Sequence, residues 1–302
     1  MSWLKTFSLL IILTVLVVIA GGLAGGLPGL IMAGVFAILM NFFAFWFSDK
    51  MALRMAGAKE VTQQEQPRLH QQVAQVARLA NLPMPRVFLI ENDSPNAFAT
   101  GRSPKKAVVA VTTGMQRLLN EEELKGVIAH EMAHVKNRDM LIMSIVAVLA
   151  GVIAFLAFMA QFALIFGGMG GRGRGGGGGY GAIIGIVGLL LLIFLMPMAA
   201  SVVRFAISRT REYAADETGA NILKNPLPLA AALEKLDSGV RRRPLKATST
   251  NEAMAHMYIV NPLGARSQHP EEEGASRFVG LFSTHPPLEE RVRRLRNMIM
   301  FS

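Results

Sequence analysis

Cysteine is absent from all 302 residues. That excludes thiolate metal ligands, a thiol nucleophile and disulfides, and it fits a reducing compartment. Charge is missing over long stretches as well: there is none between Thr6 and Ser48, and between Leu141 and Val203 there are only Arg172 and Arg174. Hydrophobic residues reach 52%, high for a soluble chain. Read in windows of about twenty residues, the uncharged regions hold four candidate membrane spans, near Phe7 to Gly22, Leu30 to Phe47, Leu141 to Phe166 and Ala182 to Val203.

Lys5 followed by an apolar run has the form of a signal peptide. A second apolar run begins only a few residues later, however, so the pair reads better as a helical hairpin with Gly25, Gly26 and Pro28 in its turn. The net charge of +10 is carried by two polar segments, residues 49–140 and 204–302, which hold 28 of the 31 Lys and Arg. The positive-inside rule puts both segments, and both termini, on the cytoplasmic face, with basic residues resting against membrane lipids. No nucleic-acid partner is expected: the one Arg-Gly tract, in the flexible run Gly167 to Gly179, sits between two spans on the opposite side.

Histidine is scarce, 6 residues, yet two of them fall in the pentad His130-Glu131-Met132-Ala133-His134. A helix is expected here, because Asn120 can cap it, Glu121 to Glu123 suit its positive end, and Leu124, Val127, Ile128, Met132 and Val135 form an apolar stripe. Four-residue spacing then stacks the two imidazoles on one face, able to grip one ion, with Glu131 beside any water on that ion. Two buried structural histidines are the alternative, but a carboxylate between them is costly to bury without a positive partner. Only six residues separate His134 from the third span, so such an ion would sit on the order of 10 Å from the membrane boundary.

A catalytic zinc takes three protein ligands and keeps one position open. Glu212, in Ser208 to Gly219, can complete a His-His-Glu set, and Asp216, one helical turn on, can hold the free N–H of a ligand histidine. An even number of spans separates His134 from Glu212, which leaves both on one side of the membrane. Upstream, Gln64 to Ala80 reads as an amphipathic helix, and Arg86 to Ile90, Asn96 to Thr100 and Ala107 to Val111 read as a small antiparallel sheet. Asn96, Ala97, Phe98 and Ala99 are either an exposed edge able to pair with an extended polypeptide or part of an ordinary structural hairpin. Short helices broken by Pro226 and Pro228 are expected between Ala220 and Leu236. A last helix carries Leu288, Val292, Leu295 and Ile299 on one face and Arg291, Arg293, Arg294 and Arg296 on the others. His285, just before it, is either a transition-state hydrogen-bond donor or a surface residue.

HEMAH followed by REYAAD, with two spans before and two between, NAFATG upstream and STHPP before the last helix, resembles the HtpX-type membrane zinc metalloproteases, relatives of the CaaX prenyl protease. The resemblance covers the whole chain. It implies one Zn2+ held by His130, His134 and Glu212, Glu131 as the catalytic carboxylate, and polypeptide substrates. It also implies residence in the bacterial inner membrane, a cytoplasmic active site and quality control of misfolded membrane proteins. The expected architecture is a mostly α membrane protein, four transmembrane helices with a cytoplasmic α+β gluzincin-like domain. Its parts are residues 1–48 (membrane hairpin), 49–140 (sheet and pentad helix), 141–203 (two spans and the Gly-rich loop) and 204–302 (third-ligand and C-terminal helices). The competing class is a polytopic membrane protein with a structural or non-proteolytic metal site.

Overall fold

A computed structural model describes residues 2–140, 145, 209–242, 259 and 286–298. Apart from Ile145, the third and fourth expected spans lie outside the described residues, as do the Gly-rich loop and His285.

At the centre is a four-stranded sheet of β1 (Ala58–Glu60), β2 (Arg86–Ile90), β3 (Ala97–Thr100) and β4 (Val108–Thr112), in the order β1-β2-β4-β3. The fully antiparallel sheet expected from sequence is corrected: β1 and β3 pair antiparallel with their neighbours, but β2 and β4 run parallel. After β3 the chain turns at Gly101 and lays β4 between β3 and β2, so a strand antiparallel to β3 is parallel to β2. A Cβ at Gly101, whose φ is 133°, would lie 2.4 Å from the Lys106 carbonyl oxygen, which is why glycine occupies this turn.

Both faces of the sheet are covered. Val87, Ala97, Ala99, Val109 and Val111 face the main helical core, while Phe88, Ile90, Phe98, Val108 and Ala110 pack with Ala52 and Leu53 at the end of the N-terminal helix. Every residue of β4 is buried, which explains its unbroken Val-Val-Ala-Val run: a central strand covered on two sides does not alternate.

On the core face lie α2 (Pro67–Leu79), α3 (Thr113–Leu118), α4 (Glu121–Asn137), α5 (Arg209–Leu223), α6 (Leu227–Arg242) and α7 (Leu288–Asn297). Asn120 and Glu123 form a reciprocal capping box at the start of α4, both bonds 2.9 Å, and Arg138 in the left-handed region (φ 61°) ends it. The expected pair of helices is present as α5 and α6 on either side of a break at residues 224–226, but both are longer than expected and Pro228 makes no second break. Pro228 falls in the first turn of α6, where a missing N–H costs nothing.

The N-terminal helix α1 (Ser2–Met55) doubles back at Gly26, whose φ is 58°. A Cβ on Gly22 would lie 3.6 Å from Leu30 Cβ, and one on Gly34 would lie 3.8 Å from a Val18 methyl. In a straight helix residues 18 and 34 would be about 24 Å apart. Among the described residues, no helix is long and apolar enough to cross a membrane. The second arm nevertheless exposes Phe42, Phe43, Trp46 and Phe47, and Arg102, just after β3, lies over the Trp46 ring at 4.8 Å.

Backbone meets backbone where α4 passes α6: a Cβ on Gly126 would lie 2.6 Å from Leu229 N. Alanine gains up to about 1 kcal/mol of helix propensity there, but overpacking against main chain costs about 1–3 kcal/mol or more. Gly126→Ala is expected to lower the thermal unfolding midpoint, measured by circular dichroism.

Candidate active site

His130 and His134 leave α4 one turn apart, with ring centroids 4.8 Å apart and planes at 87°. α5 crosses them at van der Waals range because of Gly219, where a Cβ would sit 3.0 Å from His130 N. Asp216 and Glu212, three and seven residues earlier on α5, share that face and are thereby carried to the imidazoles.

Glu212 Oε1 lies 3.6 Å from His134 Nε2, and Glu212 Oε2 lies 3.7 Å from His130 Nε2. Ligand atoms about 2.0–2.1 Å from a tetrahedral zinc would be roughly 3.4 Å apart, so the spacing suits one ion between them. His130 Nε2 is buried without a hydrogen-bond partner, and a lone pair facing a buried carboxylate is what a cation would relieve. His130, His134 and Glu212 thus fit a bound metal, with donor atoms all within 4.8 Å of one another.

A ring of further charges surrounds this group. His130 Nδ1 lies 2.9 Å from Asp216 Oδ1, within hydrogen-bonding distance though off the ideal line. The fully buried Arg291 grips Asp216 with two bonds of 2.8 Å, from Nε to Oδ2 and from Nη2 to Oδ1, and its Nη1 stands 3.7 Å from Glu212 Oε2. Asp139 Oδ2 lies 3.6 Å from His134 Nδ1. Glu131 is buried beside β3 and accepts a hydrogen bond from the Ala99 N–H.

These environments move the titrations. Burial, reinforced by the charge of Glu212, pushes the Glu131 carboxyl up to about 8 despite the opposing pull of His134. Burial draws His134 down, but Asp139, Glu212 and Glu131 outweigh it and raise the imidazole to about 9. His130 is lowered, chiefly by burial. Burial would raise Asp216, yet the charge and hydrogen bonds of Arg291 hold it below the ordinary carboxylate range.

β3 is the outermost strand of the sheet, but the expected exposure is corrected: Asn96, Ala97, Phe98 and Ala99 are all buried, Ala97 and Ala99 turning to the core side where α4 lies and Phe98 packing on the opposite face against the end of α1. Asn96 precedes β3, its N–H donating to Thr112 Oγ1 at 2.8 Å. The expectation that Arg291 points away from the apolar face is corrected: it is fully buried on the site. Its spacing with Leu288, Val292 and Leu295 (i, i+3, i+4, i+7) already marks the inner stripe of α7, and a guanidinium there signals a buried carboxylate partner.

Residues 63–299 match the model of peptidase family M48. The chain is 52% identical over 299 residues to a protein named protease HtpX homolog of Persephonella marina, covering 99% of this chain and 98% of that one. It is 49% identical over 298 residues to a protein of the same name from Pyrococcus furiosus, covering 99% and 96%. A solved structure, Ste24p of S. mikatae, aligns with a TM-score of 0.44 and 18% identity over 88% of this chain and 57% of its own. The fold and the buried His-His-Glu group are those of a metal-dependent peptidase that uses zinc. The chain belongs to peptidase family M48.

Two outcomes follow from the electrostatics. In chelator-treated protein, Glu131 holds its proton more tightly folded (about 8) than at its ordinary 4.5, so its share of stability is present below 4.5 and lost as pH rises through about 8. Glu131→Gln should therefore raise the melting temperature of metal-free protein at pH 8 and leave it nearly unchanged near pH 4.5. Asp216→Ala should weaken zinc binding by about 10–100-fold in chelator competition, the usual cost of losing a histidine's outer partner.

Proposed function

We propose that this chain is a zinc endoprotease of the bacterial inner membrane that cleaves misfolded or damaged membrane proteins on their cytoplasmic side. The observation that carries the reading is the meeting of a buried His-His-Glu group with a carboxylate, Glu131, that touches an edge strand. Zinc held by His130, His134 and Glu212 would supply Lewis acidity toward a carbonyl and ease deprotonation of water.

The chain's own residues do the rest. An extended polypeptide pairs with the outermost strand, β3, along Asn96, Ala97, Phe98 and Ala99, which lays its scissile bond beside α4. Glu131 takes a proton from the attacking water at its carboxylate and passes it to the departing nitrogen as the C–N bond breaks. Asp216 fixes the His130 ring through Nδ1 and is itself fixed by Arg291. His285 remains a proposed donor to the oxyanion.

Membrane residence is supported by the uncharged run from Thr6 to Ser48 and the aromatic side chains exposed on α1. A cytoplasmic site is supported by the concentration of Lys and Arg in residues 49–140 and 204–302. The doubled-back α1, with its end packed under the sheet, would hold the catalytic part against the bilayer, where membrane-protein substrates emerge.

Purified Glu131→Gln should keep one zinc per chain and lose casein cleavage by at least about 100-fold, the low end for removing a general base. Undiminished cleavage at full zinc content would sink the assignment, and cleavage insensitive to chelator would return the chain to the class of membrane proteins with a structural metal.

A further inference from the structure

Among the described residues, only Ile259 falls between Arg242 and Pro286. It is 2% exposed and belongs to the core on the active-site side of the sheet. Both of its backbone groups are engaged. Its N–H donates to the Ala97 carbonyl at 3.4 Å, and its carbonyl accepts Arg291 Nη1 at 3.0 Å. That same Nη1 is 3.7 Å from Glu212 Oε2. Two residues along β3 from Ala97, the Ala99 N–H holds Glu131. Ile259 therefore spans from the edge strand to the guanidinium beside the metal group.

Strand alternation says what this contact occupies. The Asn96 carbonyl accepts from Thr112 N at 2.9 Å and so faces β4, which turns the backbone groups of Ala97 and Ala99 to the side of β3 away from β4. The Ala97 carbonyl is thus the acceptor that an incoming extended chain would use, and here the protein's own backbone holds it. The carbonyl at the other end of the same residue is met by Arg291 Nη1.

We propose that Ile259 is an internal stand-in for a substrate residue, an autoinhibitory contact that polypeptide must displace from β3. The proposal rests on the reading of β3 as the polypeptide-binding edge. It also specifies the substrate: a residue with a bulky aliphatic side chain, its N–H on Ala97 and its carbonyl on Arg291. The apparent affinity for substrate is then reduced by the fraction of molecules in which Ile259 has left.

The test uses full-length, detergent-solubilised, zinc-loaded protein. In the Glu131→Gln background, binding of a fluorescently labelled, unfolded casein fragment is measured by anisotropy with and without Ile259→Asp or Ile259→Ala. Both substitutions should tighten binding by about three- to tenfold. With Glu131 intact they should lower KM for casein by a similar factor at unchanged kcat and unchanged zinc content. Unaltered binding at an unaltered melting temperature would overturn the proposal, as would weaker binding with a lowered melting temperature, which would mark Ile259 as ordinary core. If the parent cleaves nothing at full zinc content, the protease reading fails, while the binding comparison still decides the fate of the autoinhibitory contact.

Discussion

Three carboxylates, Glu131, Glu212 and Asp216, are buried within reach of one another, and among the described residues the permanent cation between them is the guanidinium of Arg291. With neutral imidazoles these three carboxylates and one guanidinium leave an excess of two negative charges, the charge a single divalent ion cancels, while the fourth carboxylate, Asp139, has Arg211 at 3.9 Å. Burying such an excess uncompensated would cost several kcal/mol per ion. The upward titration of Glu131 and His134 is the same imbalance expressed as proton uptake: both shifts reduce the negative charge of the pocket. The metal-binding group and the core that encloses it therefore depend on one another.

The core supplies this pocket by letting main chains approach. Gly126 admits α6 to α4 and Gly219 admits α5 to α4, so the helix bearing both imidazoles is gripped on two sides by backbone. From there the connections run outward without a gap. α4 touches β3 through Glu131 and Ala99, β3 pairs with β4, and the far face of the sheet rests on Ala52 and Leu53 at the end of α1. A hairpin at the N-terminus and a carboxylate at the site are joined through a single four-stranded sheet. Arg291 closes the arrangement from the C-terminal side, tying α7 to α5 through Asp216.

Local chemistry was readable from the residues. Asn120, the three glutamates after it and the apolar stripe define α4, and four-residue spacing places His130 and His134 on one face. The choice of Glu212 and Asp216 followed from what a histidine pair needs, and both side chains meet the imidazoles. The turn near Gly26 was legible from glycine and proline between two uncharged runs, and the chain reverses there. Sheet order was not legible, because β-branched content marks a strand without naming its neighbour. β4 did carry a clue in its unbroken apolar run.

What the sequence alone determined is whatever depends on neighbours within a helical turn or on the sign of side chains along a stretch: the caps, the paired imidazoles, the uncharged runs and the basic segments. What only the tertiary structure decided is the set of contacts between residues far apart in the chain, beyond the meeting of Glu212 and Asp216 with the imidazoles that metal chemistry suggested. The inward turn of Arg291, the parallel placement of β4 against β2, and the bonds from Ile259 to Ala97 and Arg291 belong to that set. Those contacts depend on which backbones can come close and on how buried charges must be balanced once they do. Both are properties of the assembled core, and no short window of sequence contains them.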